Sequence, residues 1–130
     1  MTPATRVVLD TSALMMPVEC DVRLFDELSR LLDSYDCVAP RAVVSELDGL
    51  AGTAGTEATA ASVGADLARE RCRIVDTDAS YADDALVELA ATGEFGAVVT
   101  NDQPLKRRVL DAGVPVISLR GQNKLAITRP

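Results

Sequence analysis

Short apolar runs rich in β-branched residues alternate along the chain with segments of helical period. The runs RVVL, CRIV, AVVT and VPVIS predict four strands, and CVAP is a fifth, weaker candidate. Strands that alternate with helices favour a parallel sheet with helices on both faces. The pattern therefore predicts an α/β fold of three layers (helix, sheet, helix) around a central parallel sheet of four to five strands.

The segments between these runs carry apolar residues at helical spacing. Between the first two strands, Val22, Phe25, Leu28, Leu31 and Leu32 predict one amphipathic helix. Further helices are predicted from Pro40 through RAVVSELDGL, over residues 57–71, in YADDALVELAA before a glycine, and in PLKRRVLDA before another. A short edge strand is predicted over residues 125–128.

Length and cysteine usage limit the kind of protein. A chain of 130 residues with 48% hydrophobic content fits one domain, and we expect residues 1–130 to form it. Cys20, Cys37 and Cys72 are odd in number and lack CxxC spacing, which argues against a disulfide framework or a zinc site. There is no signal-peptide pattern and no apolar run of roughly 18 residues. We therefore expect a cytoplasmic protein without a membrane partner.

Charge narrows the chemistry further. The chain has 20 acidic and 13 basic residues, a net charge of −7, and only two lysines, a composition similar to that of proteins from salt-loving microbes. A nucleic-acid partner would therefore have to meet a local cluster of positive charge. The sequence contains no histidine, which excludes Ser-His-Asp and Cys-His catalysis and histidine metal ligands. Carboxylates remain as the plentiful catalytic groups.

Acidic residues stand at the ends of predicted elements in four separate places. They are Asp10 after the first strand, Glu46 one turn into a helix, Asp83 and Asp84 in the first turn of another, and Asp102 after the fourth strand. Ligands of open parallel sheets bind beyond the carboxyl ends of the strands, so these acids could converge there. Converging carboxylates need a cation, and oxygen ligands suit Mg²⁺ or Mn²⁺. The alternative for each acid alone is a helix N-cap or a solvated side chain.

The contexts VVLDTSAL, VVSELDGL, YADDALVELA and AVVTNDQPLKRR resemble, in order and spacing, the pattern of the PIN-domain ribonucleases. The resemblance covers residues 6 to about 119. It implies a PIN-like fold and a metal-dependent endoribonuclease that hydrolyses RNA phosphodiester bonds with Mg²⁺ or Mn²⁺. The family's metal-binding and catalytic acids fall on Asp10, Glu46, Asp84 and Asp102. Asp83 is the alternative to Asp84, which is preferred because the apolar residues after it follow as they do in the family.

The resemblance also implies auxiliary residues and partners. Ser12 matches the small hydroxyl that orients the first acid, Thr100 or Asn101 matches the polar neighbour of the last, and Asp83 is auxiliary. The tail GQNKLAITRP and the sequence around Asp102 look closer to the branch that processes ribosomal RNA than to the VapC-type toxins of toxin–antitoxin pairs. RNA is the expected partner, and a second copy of the chain, an antitoxin or a ribosome-assembly factor are further candidates.

Basic residues gather after residue 105, in the segment 106–130. They are Lys106, Arg107, Arg108, Arg120, Lys124 and Arg129. We predict that this segment contacts RNA. Its first basic side chains follow Asp102 by about one helical turn, so we expect them beside the acids. The alternative is a solvated helix face and tail. With two tyrosines, two phenylalanines and no tryptophan, stacking of bases on aromatic rings cannot dominate recognition.

Two other functions compete with the nuclease. A phospho-receiver domain also places acids at strand ends, but it needs a lysine that closes a later strand, and VPVISLRG has none. A PIN fold that binds RNA or protein without catalysis is the second alternative. A metal-dependent cleavage assay separates that alternative from the nuclease.

Overall fold

A computed structural model of the protein describes residues 3–130. Its elements follow the chain as β1 (Thr5–Leu9), α1 (Thr11–Glu19), α2 (Leu24–Leu32), β2 (Tyr35–Pro40), α3 (Arg41–Ala51), α4 (Gly55–Arg71), β3 (Arg73–Val75), α5 (Ala82–Ala91), β4 (Ala97–Val99), α6 (Gln103–Asp111), β5 (Val116–Arg120) and β6 (Lys124–Thr128). Within these residues, none of the helices is both long and apolar enough to span a membrane.

The strands form one sheet in the order β3-β2-β1-β4-β5-β6. The first five strands pair in parallel, and β6 pairs antiparallel with β5. The predicted α/β class is confirmed, including the weaker strand CVAP and the edge strand near the C-terminus. The last strand is antiparallel because only three residues connect it to β5, and parallel neighbours need a much longer crossover.

The strand order reverses direction at β1. The chain first adds β2 and β3 on one side of β1 and then crosses to β4 and β5 on the other. Right-handed crossovers therefore place α1 to α4 on one face of the sheet and α5 and α6 on the opposite face. The helix contacts agree for α1, α3 and α4, which pack together, and for α5, which packs on α6; α3 and α5 also touch, and α2 packs on β6 and α1. The switch point lies between the carboxyl ends of β1 and β4, where ligands of such sheets bind.

The connection from β1 to β2 differs from the prediction. The sequence predicts one helix there, whereas the structure has two, and α1 is the one that was missed. Most of α1 is buried, including Ala13, Leu14, Met15 and Met16, and Pro17 lies within it. A helix buried on most sides has no polar face, so its sequence lacks the apolar period that identifies an amphipathic helix.

Helices α1 and α4 approach closely because α4 presents small residues. Ala60, Ala61, Ala65 and Ala68 are fully or almost fully buried. A Cβ atom built on Gly64 would lie 2.7 Å from the carbonyl oxygen of Leu14 in α1. This packing fixes α1 against the sheet and thereby positions the start of α1, at the end of β1.

The outer edge of β6 is covered by side chains of α2. The carboxylate of Glu27 accepts a hydrogen bond from the backbone N–H of Leu125 at 2.9 Å, and the guanidinium of Arg30 donates to the Leu125 carbonyl oxygen at 2.8 Å. Hydrogen bonds from Arg30 and from the Leu125 backbone lower the pKa of Glu27 to about 2. The unpaired backbone groups of the edge strand are therefore satisfied at this position.

Candidate functional site

Asp10 stands where β1 ends and α1 begins. It is the N-cap of α1, and its Oδ1 accepts a hydrogen bond from the backbone N–H of Ala13 at 2.8 Å. The Ser12 hydroxyl donates to the same oxygen at 2.8 Å, and the Thr100 hydroxyl donates to Oδ2. The carboxylate is held at both oxygens by groups from α1 and from the residue that follows β4, so its orientation is fixed.

The burial of Asp10 makes its charge costly. The residue is 4% exposed. Burial raises the pKa of the carboxyl from 3.8 to about 6, although the hydrogen bonds from Thr100, Ala13 and Ser12 oppose the shift and the nearby charge of Asp83 adds to it. Among residues 3–130, no cationic side chain contributes to the pKa of Asp10. A bound cation would favour the charged form and lower the pKa again.

The segment after β4 is tied to Asp10 by a hydrogen-bond network. The backbone N–H of Asn101 donates to the Ser12 hydroxyl at 2.9 Å, and that of Asp102 donates to the Thr100 hydroxyl at 3.0 Å. Asp102 is also the N-cap of α6, accepting a hydrogen bond from the backbone N–H of residue 105 at 2.9 Å. An ionised carboxylate has about four lone-pair positions, so Asp10 and Asp102 can each cap a helix and still bind a ligand.

Acidic side chains from several elements line one open cleft of about 260 Å³ beside Asp10. They are Asp10, Glu19, Glu46, Glu57, Asp83 and Asp102. The structure thus brings together three of the four acids carried over from the sequence pattern, Asp10, Glu46 and Asp102. The fourth, Asp84, is replaced on the wall of this cleft by its neighbour Asp83.

Asp84 does not line the cleft beside Asp10. Its Oδ1 accepts a hydrogen bond from the Arg108 guanidinium at 3.0 Å, and it lines an adjoining hollow of about 430 Å³ with Arg108. Glu46, Asp83 and Asp102 border both spaces. Burial and the neighbouring charge of Asp102 raise the pKa of Asp83. Asp83 lines the cleft with Asp10 and its charge acts on Asp10, which favours Asp83 over Asp84 as the acid that acts with Asp10.

Sequence reasoning missed three residues that line the cleft, Thr11, Glu19 and Glu57. Glu19 ends the helix that the sequence did not reveal. Glu57 lies in the first turn of α4, where an acid next to a predicted helix start was a usable signal. The hydroxyl of Thr11 is buried and has no hydrogen-bond partner among residues 3–130, which is unusual for a buried polar group.

The donor set of the cleft fits a hard divalent cation that keeps part of its water. Within residues 3–130, no three Asp, Glu or Cys side chains stand close enough to enclose one ion. Mg²⁺ does not need such a cage, because it usually retains several waters and binds through one or two carboxylates. A cleft that has carboxylates on its walls and no thiolate or imidazole among its lining residues suits this mode of binding.

The basic residues of the segment 106–130 do not form one patch. Arg108 lies beside the acids, Arg107 is exposed, and the ammonium of Lys106 is 3.4 Å from the Ser118 hydroxyl. The ammonium of Lys124 lies 4.0 Å from the carboxylate of Glu27, at the turn that also follows Arg120. Arg129 follows β6, which runs antiparallel and so ends beside the amino ends of the parallel strands, away from the acids. The basic residues of α6 are the nearest of these to Asp102 along the chain, four to six residues after it.

Comparisons of sequence find relatives over nearly the whole chain. The family described as PIN like domain matches residues 7–122, a range that contains Asp10, Glu46, Asp83 and Asp102. Ribonuclease VapC4 of Methanocaldococcus jannaschii is 28% identical to this chain over 120 residues, which are 88% of this chain and 90% of that protein. The similarity therefore extends over nearly the full length of both proteins.

Comparisons of structure agree. The PIN domain endonuclease Utp24 superimposes with a TM-score of 0.80 and 25% identity, covering 96% of this chain and 92% of that one. A domain of a functionally unknown protein from Methanocaldococcus jannaschii has a TM-score of 0.65 and 16% identity, covering 93% of this chain and 95% of that one, and shows the shared fold alone. The predicted three-layer arrangement is confirmed by these matches.

Proposed function

Because the chain belongs to the PIN like domain family, we propose that it is a metal-dependent endoribonuclease that hydrolyses RNA phosphodiester bonds in the carboxylate cleft. The observation that carries the proposal is the buried carboxylate of Asp10, held at both oxygens and facing Glu46, Asp83 and Asp102 across an open cleft. The similarity to a ribonuclease and to a PIN domain endonuclease supports the same reaction.

In this proposal Asp10 and Asp102 hold Mg²⁺ or Mn²⁺, with Asp83 and Glu46 as the further acids of the cleft. When bound, the metal lowers the pKa of a water and stabilises the negative charge that develops on the phosphate and the leaving oxygen. The hydroxyls of Ser12 and Thr100 keep Asp10 oriented. Asp84, which the sequence pattern favoured as a ligand, instead orients the guanidinium of Arg108.

We also propose that Arg108 and Arg107 contact the phosphates of the RNA. Arg108 stands at the border of the cleft, held there by Asp84, and Arg107 is exposed on the next position of α6. Guanidinium groups bind phosphates through paired hydrogen bonds, so they can align a strand with the acids. The acids of the cleft repel RNA, and the bound metal together with these arginines offsets that repulsion.

The cellular role that we propose is processing of RNA in the cytoplasm, with ribosomal RNA as the first candidate substrate. The tail GQNKLAITRP and the context of Asp102 support this role over that of a toxin. A toxin of a toxin–antitoxin pair is the alternative, and it would have an antitoxin as protein partner. Induced expression in growing cells distinguishes them, since a toxin arrests growth and a processing enzyme does not.

Incubation of labelled single-stranded and structured RNA with Mn²⁺, Mg²⁺ or EDTA tests the nuclease. We expect cleavage with Mn²⁺ or Mg²⁺, none in EDTA, and none by the Asp10→Asn variant. Asp66→Asn, the same change on the exposed face of α4, serves as the matched control and should cleave like the wild type. RNA that stays intact with either metal would indicate a binding module, and an Asp10→Asn protein that cuts at the native rate would remove Asp10 from the site.

A further inference from the structure

A second cleft, of about 590 Å³, lies at the opposite end of the strands from the acids. It is formed at the amino ends of β1, β2 and β3, where the carboxylate cleft is formed at the carboxyl ends. Three arginines line it, Arg6 in β1, Arg71 at the end of α4 and Arg73 at the start of β3. We call it the arginine cleft. It contains three of the 13 basic residues of a chain whose net charge is −7.

The arginines of this cleft are poorly neutralised by the protein. Neither Arg71 nor Arg73 forms an ion pair with another residue in the described range 3–130, and Arg6 only approaches Glu94, at 4.0 Å. Arg23, Arg107, Arg120 and Arg129 also lack a carboxylate partner within residues 3–130, whereas other surface arginines have close ones. Examples are Arg41 with Asp76 at 2.7 Å and Arg108 with Asp84 at 3.0 Å. The arginine cleft differs from these single positions because three guanidinium groups line one cleft and, among the described residues, none has a carboxylate closer than 4.0 Å.

Aromatic rings hold two of these guanidinium groups. The guanidinium of Arg71 lies over the ring of Phe25, 4.3 Å from its centroid, and that of Arg6 lies over Phe95 at 4.9 Å. Stacking on a ring restricts a guanidinium while leaving the N–H groups at its rim able to donate. Because Phe25 is buried and its ring is already covered by Arg71, the cleft does not offer that ring to a nucleic-acid base. Tyr35 also lines the cleft, and the three guanidinium groups favour an anion such as a phosphate there.

We propose that the arginine cleft binds the phosphate backbone of an RNA strand, as a contact separate from the carboxylate cleft. Arg6 and Arg73 lie on strands that are two strand spacings apart, about 10 Å, and Arg73 is in register with Val38 and so with a position two residues beyond Arg6. Cations spread over this distance suit an extended polyanion better than one small anion. Asp36 pairs in register with Arg6 and is the acid that lines the cleft. Its charge weakens the binding of phosphate without abolishing it, since three cations surround it.

The inference rests on the proposed ribonuclease function only in the choice of RNA as the polyanion. Binding of a labelled single-stranded RNA is therefore measured by fluorescence anisotropy in EDTA, where no metal-dependent cleavage takes place. Arg71→Gln with Arg73→Gln should raise the Kd roughly five- to tenfold and lower the slope of log K against log salt by about 1.4, or about 0.7 per lost phosphate contact. Asp36→Asn should tighten binding.

Arg41→Gln with Arg69→Gln is the matched control, because it removes the same two charges from exposed ion pairs elsewhere. If both double variants weaken RNA binding equally, only net charge matters and the proposal is wrong. Arg71 packs on Phe25, so Arg73→Gln alone, with a slope change of about 0.7, tests the site without disturbing that packing.

A free nucleotide is the other source of phosphate. If AMP or inorganic pyrophosphate raises the melting temperature of the wild type but not of the Arg71, Arg73 double variant, and RNA affinity is the same in both, the cleft is a nucleotide site and the RNA proposal is overturned. The cleavage experiment reports on the carboxylate cleft independently. RNA binding in EDTA and RNA cleavage that are both unchanged by Arg73→Gln would likewise restrict RNA to the carboxylate cleft and overturn the proposal.

Discussion

Asp83 and Asp84 are adjacent in the chain, and their surroundings give them different chemistry. Asp83 borders the cleft with Asp10 and Asp102, and those charges act on it. Asp84 is half-exposed and paired with Arg108. Exposed ion pairs of this kind contribute about 0–1 kcal/mol to stability, so Asp84 is available to orient Arg108 but is not required for folding.

The pair gives a matched test of which acid serves the metal. We expect Asp83→Asn to reduce Mn²⁺-dependent RNA cleavage by about 100-fold or more, since it removes a charge from the cleft itself. Asp84→Asn should change the rate by only a few-fold. Initial rates at saturating Mn²⁺ measure both. The reverse ranking would show that Asp84 is the ligand, as the sequence pattern implied.

Asp10 should make stability depend on pH in metal-free buffer. Its folded pKa of about 6 exceeds its unfolded value of 3.8, so the folded state binds more protons between these values and stability falls as pH rises from about 4 to 6. The shift corresponds to at most about 3 kcal/mol. In EDTA, Asp10→Asn should therefore have a higher melting temperature than the wild type at pH 7.5 and lose that advantage at pH 4. An advantage that is equal at both pH values would show that burial of the charge is not its cause.

The helices that carry the site are positioned by close packing. Helix α1 begins at Asp10 and is held against α4 at Gly64, where the carbonyl oxygen of Leu14 leaves no room for a side chain. The sequence of α4 does not display this requirement, because an alanine-rich helix with one glycine also fits an exposed helix. The contact couples the core of the fold to the position of the Asp10 carboxylate.

Gly64→Ala should destabilise the protein by about 1–3 kcal/mol, because the added methyl group would meet backbone that cannot rotate away. Gly49→Ala in α3 is the matched control. Nothing lies within 4 Å of its added Cβ, and alanine favours a helix over glycine by about 0.5–1 kcal/mol, so that variant should be more stable than the wild type. Urea unfolding measures both, and a Gly64→Ala protein as stable as the wild type would contradict the packing argument.

At the level of the whole molecule, charge is divided along the strand direction. The acids of the cleft and the basic residues of α6 lie at the carboxyl ends of the strands, while the arginine cleft lies at their amino ends. A strand of about five residues separates the two ends by about 17 Å. An overall charge of −7 is therefore compatible with RNA binding, because the positive groups are local and the Debye length at physiological salt is about 8 Å.

Neutralising Lys106, Arg107 and Arg108 together should weaken RNA binding and lower its salt slope by up to about 2, at about 0.7 per contact. The contribution of Lys106 should be the smallest, because it faces the Ser118 hydroxyl. Mn²⁺ affinity, measured by calorimetry, should hardly change, since none of the three is an acid of the cleft. Unchanged RNA affinity and slope would leave these bases as a solvated helix face.

Much of the fold was determined by the sequence alone. The β-branched runs, the helical periods and the glycines after α5 and α6 predicted the strands and five of the six helices, and the predicted resemblance to the PIN-domain family is confirmed. These features follow from local side-chain periodicity, which is written directly in the chain. The roles of the site residues and the assignment of residues 1–130 to one domain stay predictions.

The tertiary structure determined which side chains face one another, and local periodicity carries no information on this. Successive residues of a helix point about 100° apart, so whether Asp83 or Asp84 faces Asp10 depends on how α5 is rotated against the sheet. Helix α1 was missed because burial removed its polar face. The arginine cleft joins residues 6, 71 and 73, which only the order of β1, β2 and β3 brings together. Local side-chain periodicity determines most of the helices and strands, and packing between distant elements determines which side chains meet.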